Sequence, residues 1–81
     1  MKTNKKLKDI EKRLCDLIIE MQRLNFDNKK IHSILAKTRQ EYYQKTKYPS
    51  KMSNDAYLKS EIDILNLQYL NLMKYYKSKT R

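Results

Sequence analysis

Lysine and tyrosine are the residues of this chain whose types and spacing could do chemistry, and they interleave in two places. One cluster is Tyr42, Tyr43, Lys45, Lys47, Tyr48 and Lys51; the other runs from Lys74 through Tyr75, Tyr76, Lys77 and Lys79 to Arg81. Lysines neutralise phosphates and release counterions, and tyrosine rings stack on unpaired bases, so this mixture suits sequence-independent contact with nucleic acid. The candidate nucleic-acid-binding residues are therefore Tyr43, Lys45, Lys47, Tyr48, Lys51, Lys74, Lys77, Lys79 and Arg81. The segment from Asn25 to Ser53 carries half of the excess positive charge. A plainer alternative exists for each cluster: tyrosines at helical spacing serve as packing residues, and a lysine-rich turn or tail is a solvated surface.

Covalent and metal chemistry have little to work with. The chain has no glycine, so neither a phosphate-binding loop nor a dinucleotide fingerprint can be built. His32 and Cys15 stand alone in no zinc-ligand spacing, which predicts neither metal nor cofactor. Cys15 follows Leu14 and is expected as a small buried thiol, and His32 as a surface or packing residue. Glu61 and Asp63, two apart on a helix, point in different directions and read as solvated charges rather than an acid/base pair. The chain is expected not to be an enzyme.

The formal net charge is +10 and the pI about 9.8 over 81 residues, which attracts polyanions: nucleic acid, anionic lipid headgroups or an acidic protein. Arginine, the residue that favours bidentate phosphate and base contacts, occurs only as Arg13, Arg23, Arg39 and Arg81. Lys, Asn, Ile, Tyr, Met and Phe supply about half the sequence, the bias of an A/T-rich genome. A single cysteine fits a reducing compartment. The charged amphipathic N-terminus predicts no signal peptide, and no apolar run approaches the roughly 20 residues that cross a bilayer. A cytoplasmic protein is expected.

Three helices must position these side chains. Leu7, Ile10, Leu14, Leu17, Met21 and Leu24 alternate three and four apart, a seam that predicts a helix over about 4–24. The same spacing continues through Asn28, Ile31, Leu35, Thr38 and Tyr42. Asn25-Phe26-Asp27-Asn28 is nevertheless expected to break it, with Asp27 or Asn28 capping a second helix over about 28–46. Tyr48-Pro49-Ser50 turns the chain. Ser53, Asn54 or Asp55 caps a third helix over about 54–78, and with Ser53 as cap Met52 and Tyr57 occupy the staple positions. A basic tail covers 77–81.

The last helix has its own seam, Leu58, Ile62, Leu65, Tyr69, Leu72 and Tyr76, while Ile64, Leu67, Leu70 and Met73 lie outside it. A helix apolar nearly all round is buried on several sides. The fold class predicted is all-α, a single small three-helix domain with this helix at its centre. The alternative is a long helical hairpin that dimerises. Self-association or a protein partner is expected through Ile64, Leu67, Leu70 and Met73, since so short a chain cannot hide them completely.

Two local resemblances accompany this reading. Ile10-Glu11-Lys12-Arg13-Leu14 and Glu41-Tyr42-Tyr43 resemble the small two-helix aspartyl-phosphate phosphatases of sporulation control. Their Ser-Gln-Glu-Leu-Asp signature is replaced here by Ser33-Ile34-Leu35-Ala36-Lys37, so no functional residue carries over. The size, the basicity and the Lys47-Tyr48-Pro49 turn after a helix are similar to immunity proteins of pediocin-like bacteriocins. From the sequence, the leading expectation is a small basic accessory protein that binds nucleic acid or a protein and nucleic acid complex. The alternative is a helical regulator, an inhibitor, chaperone or immunity protein, that acts through the apolar last helix.

Overall fold

The structure is a computed structural model that describes residues 2–46 and 53–79. Three helices, α1 (Lys2–Arg23), α2 (Asn28–Thr46) and α3 (Asn54–Lys79), pack into an all-α three-helix bundle. α3 is the central element. α1 and α2 both pack along it and contact one another much less. The molecule is correspondingly flat, 41 × 28 × 17 Å, and its long axis matches the ~39 Å of a 26-residue helix.

The chain breaks where the asparagines and aspartate stand. Asn25 has φ 65°, left-handed, which Asn tolerates better than most residues bearing a side chain. Around it the Asn25 N–H donates to the Gln22 carbonyl and the Phe26 N–H to the Met21 carbonyl, each at 3.0 Å. This is a Schellman stop, and the Phe26 ring completes it by packing into the cluster that contains Met21. Asp27 then caps α2: its Oδ1 accepts the Lys29 N–H at 2.9 Å and its carbonyl the Ile31 N–H at 3.1 Å. α3 is capped by Ser53, whose Oγ accepts the Ala56 N–H at 3.2 Å. The Tyr48-Pro49-Ser50 turn and the Met52 half of the staple lie outside the described residues.

α1 buries Ile10, Leu14, Leu17 and Met21 and leaves the rest of its circumference in solvent. Leu14, Leu17 and Met21 join Ile31 of α2 and Leu72 of α3 in one core cluster, with Ile18, Leu65, Tyr69, Met73, Tyr75 and Tyr76 packed around it. Two positions depart from expectation. Leu24 is 48% exposed, because it lies past the end of α1, in the turn. Cys15 is exposed rather than buried: it lies about 100° around α1 from Leu14, off the buried stripe.

The α2–α3 contact is of another kind. Gln68, only 6% exposed, donates from Nε2 to the Leu35 carbonyl at 2.9 Å. Asn71 Nδ2 donates to Thr38 Oγ1 at 2.8 Å, and the buried Thr38 hydroxyl donates on to the Ile34 carbonyl at 2.7 Å. Among the described residues no buried side-chain polar atom is left without a partner. Ile64 and Leu72, both fully buried, lie four residues either side of Gln68 on the same stripe. Truncating Leu72 or Ile64 to Ala is expected to cost about 2–5 kcal/mol in urea unfolding, whereas Leu70→Ala, at a 55% exposed position, is expected to cost under about 0.5 kcal/mol. A Leu70 loss as large as that of Leu72 would show that Leu70 is covered in solution.

Candidate nucleic-acid interface

Side-chain contacts fix how the helices run. Phe26, in the α1–α2 turn, meets Tyr75 edge to face with ring centroids 5.4 Å apart and Tyr76 at 5.7 Å, so the C-terminal end of α3 lies against that turn. Ile10 shares a hollow with Ile62 and Asn66 at the other end. α1 is thus parallel to α3, and α2, paired through Leu35 to Gln68 and Tyr42 to Asp63, is antiparallel.

One end of the bundle therefore gathers basic residues from three elements: Arg23 from the end of α1, Lys29 and Lys30 from the first turn of α2, and Lys74, Lys77 and Lys79 from the end of α3. All six are exposed. Glu20 holds Arg23 in a surface pair at 3.4 Å, and Asp27 is occupied as the α2 cap. The last turn of α3 favours Lys77 and Lys79, because the helix dipole presents partial negative charge there. α2 has no acidic residue in its first turn, so Lys29 and Lys30 add to the positive end of that dipole. Lys79 borders an open hollow of about 430 Å³, walled also by Leu24, Asn25, Phe26, Asp27 and Tyr75. It combines aromatic and apolar wall with an amide, a carboxylate and an ammonium.

Lys29, Lys30, Arg23 and Phe26 are not among the candidates the sequence singles out. The signal that would have found them is the pairing of two seams: if α1 and α3 run parallel, Tyr76 must meet the 25–28 break. Tyr75 and Tyr76 themselves are half-buried against Phe26, so the aromatics of the C-terminal cluster take part in packing.

The other cluster is not brought to this end. Tyr42 hydrogen-bonds Asp63 at 3.5 Å, and Lys79 lies about 24 Å further along the α3 axis. Lys45 is exposed beside Thr46 and Leu67, along a groove between α2 and α3. Tyr43 is engaged in a clamp rather than presented to solvent. Arg39 Nη1 donates to the Tyr43 hydroxyl at 2.9 Å and to both Glu61 carboxylate oxygens at 3.2 and 3.0 Å, and its guanidinium carbon lies 5.9 Å from the Tyr43 ring centre. Glu61 is accordingly not a solvated charge, with a side chain only 16% exposed. Burial works against the Arg39 charge, but the hydrogen bonds it donates to Tyr43 and Glu61 and their charges outweigh it, so its pKa is raised. A raised pKa on a base is lost only at the alkaline extreme, so the Arg39 side of the clamp is constant across ordinary pH. Lys47, Tyr48, Lys51 and Arg81 lie outside the described residues.

Of the apolar quartet expected at a partner surface, Ile64 is fully buried inside the bundle and Met73 is half-buried against the core cluster. Only Leu67 and Leu70, at 41% and 55% exposure, remain on the outside. Among the described residues no three His, Cys, Asp or Glu side chains converge on a metal-sized site, and no helix is long and apolar enough to cross a membrane.

Comparison of the chain with models of known protein families, with curated proteins and with solved structures finds no match. The two local resemblances therefore rest on the quoted residues alone. For Tyr43 the geometry makes a sharp prediction. Tyr43→Ala is expected to lower unfolding stability while leaving the salt dependence of polyanion binding unchanged, and an Arg39/Glu61 double-mutant cycle to give a coupling of about 1 kcal/mol, modest because Arg39 is a third exposed. A Tyr43→Ala variant of full stability and weakened binding would return Tyr43 to the binding surface.

Proposed function

We propose that this protein is a non-catalytic nucleic-acid-binding accessory protein that contacts phosphates through the turn end of the bundle. The observation that supports this reading is the gathering of Lys29, Lys30, Lys74, Lys77 and Lys79 with Arg23 at one end of the bundle, where Lys79 borders an aromatic-walled hollow. Residues from opposite parts of the chain there make an end that is positive in sum, six cations against Glu20 and Asp27, which raises the local concentration of a polyanion. With lysines supplying most of the charge, the contacts are point-like and the binding is sequence-independent. Phe26 and Tyr75 line the hollow, and the part of each ring left exposed there can meet an unpaired base, which favours single strands.

Binding of a fluorescent single-stranded oligonucleotide, followed by anisotropy across salt, tests this. Six phosphate contacts predict a log–log salt slope of about −4. K29Q/K30Q and K77Q/K79Q are each expected to weaken binding several-fold at low salt and to flatten the slope by about 1, while K8Q/K12Q, on α1, is expected to change little. Equal losses in all three variants would reduce the effect to net charge. No binding at low salt would end the proposal. A second reading, a protein partner seated on α3 beside α2, is favoured by the exposure of Leu67 and Leu70. Under that reading Leu67→Glu/Leu70→Glu abolishes co-purification of a partner from the native host and leaves oligonucleotide binding intact.

A further inference from the structure

We propose that this chain also forms a domain-swapped dimer in which the turn at 24–27 straightens, α1 and α2 join into one helix, and α1 docks on the α3 of a second copy. The seam permits it. Leu7, Ile10, Leu14, Leu17, Met21, Leu24, Asn28, Ile31, Leu35, Thr38 and Tyr42 keep the three-four alternation straight through the turn. Neither glycine nor proline stands between Lys2 and Thr46 to forbid a continuous helix, which would run about 66 Å.

The bend is held by features that straightening replaces or relieves. Its two turn hydrogen bonds, from Asn25 to Gln22 and from Phe26 to Met21, give way to ordinary helical ones. The left-handed Asn25, a residue with a side chain at φ 65°, relaxes. Leu24, on the seam yet 48% exposed in the bent chain, returns to an apolar face. Against this stand the Asp27 cap and the Phe26 contacts with Tyr75 and Tyr76. A short hinge with such a balance is the setting in which swapping occurs.

The division of contacts determines which element moves. α2 and α3 are tied to one another by directional bonds, Gln68 to Leu35, Asn71 to Thr38 and Arg39 to Glu61, and travel as one unit. α1 lies against α3 through Leu14, Leu17 and Met21 and meets α2 chiefly where Ile31 joins that cluster, so the α2–α3 unit of a second copy can supply the same contact unchanged.

Sedimentation velocity over a range of protein concentrations, with wild type, Asn25→Ala and Asn25→Gly, tests the proposal. Because both turns straighten in the dimer, Asn25→Ala is expected to raise the association constant about tenfold or more, and Asn25→Gly to lower it similarly. Spin labels on the native Cys15 and on Gln40→Cys should show in the dimer, beside the short separation that the second copy reproduces, a new one of about 38 Å along each straight helix, whereas the bent bundle gives only separations within its 28 Å breadth. Association is also expected to grow with salt, since each chain carries +10, the reverse of polyanion binding. Three strictly monomeric proteins at millimolar concentration would overturn the proposal. So would a dimer indifferent to residue 25, or one that lacks the long label distance. Should Asn25→Ala fail to fold, wild type against Asn25→Gly decides it.

Discussion

Ile64, Gln68 and Leu72 stand four residues apart on α3, all three are buried, and one of them is polar. That stripe has to be covered from two sides at once, and the covering must include an acceptor for the Gln68 amide. A buried amide without a partner costs on the order of 1–3 kcal/mol, a large share of the stability of so small a domain. The Leu35 carbonyl supplies the acceptor only if α2 lies antiparallel to α3 in one register. The same register aligns Thr38 with Asn71 and brings Arg39 within reach of Glu61. The position of α2 thus follows from a few directional bonds, and that of α1 from the apolar surface that remains.

The two interfaces differ in kind. Between α1 and α3 the contact is made by Leu14, Leu17, Met21 and Leu72, where attraction scales with buried area and specifies register weakly. Between α2 and α3 the hydrogen bonds choose the alignment. A chain of this length buries a modest fraction of its surface. Directional bonds that specify one arrangement then do what a larger apolar core would do by shape alone. Tyr43 shows the consequence for function, because a ring that could meet a base is held over Arg39 instead.

Charge follows from topology as much as from composition. The parallel run of α1 and α3 brings the end of α3 back to the α1–α2 turn, so the lysines of α3 meet those that open α2. Phe26, half-buried against Tyr75 and Tyr76, is both the apolar seal of the Schellman stop and part of the wall of the hollow that Lys79 borders. The residue that terminates α1 is therefore also the one that organises the basic end.

Much of the fold was legible in the residues. The alternation of Leu7 through Met21 and of Leu58 through Tyr76, the Asn25–Asn28 break and the Ser53 cap placed three helices within a residue or two of α1, α2 and α3, because periodicity and caps are local properties. The candidate site was legible only in part. Lys74, Lys77 and Lys79 stand out as a run, but Lys29, Lys30 and Arg23 join them only once the direction of α1 against α3 is known. Cys15, Glu61 and Ile64 changed environment for the same reason: which side of a helix is covered depends on a neighbour distant in sequence. By itself the sequence determined the helices, their caps and a strong positive charge, since these reside in short-range spacing and composition. Only the tertiary structure decided which apolar residues stay outside, which polar ones are locked inside, and where the charge is concentrated, since each of these depends on contacts between residues far apart in the chain.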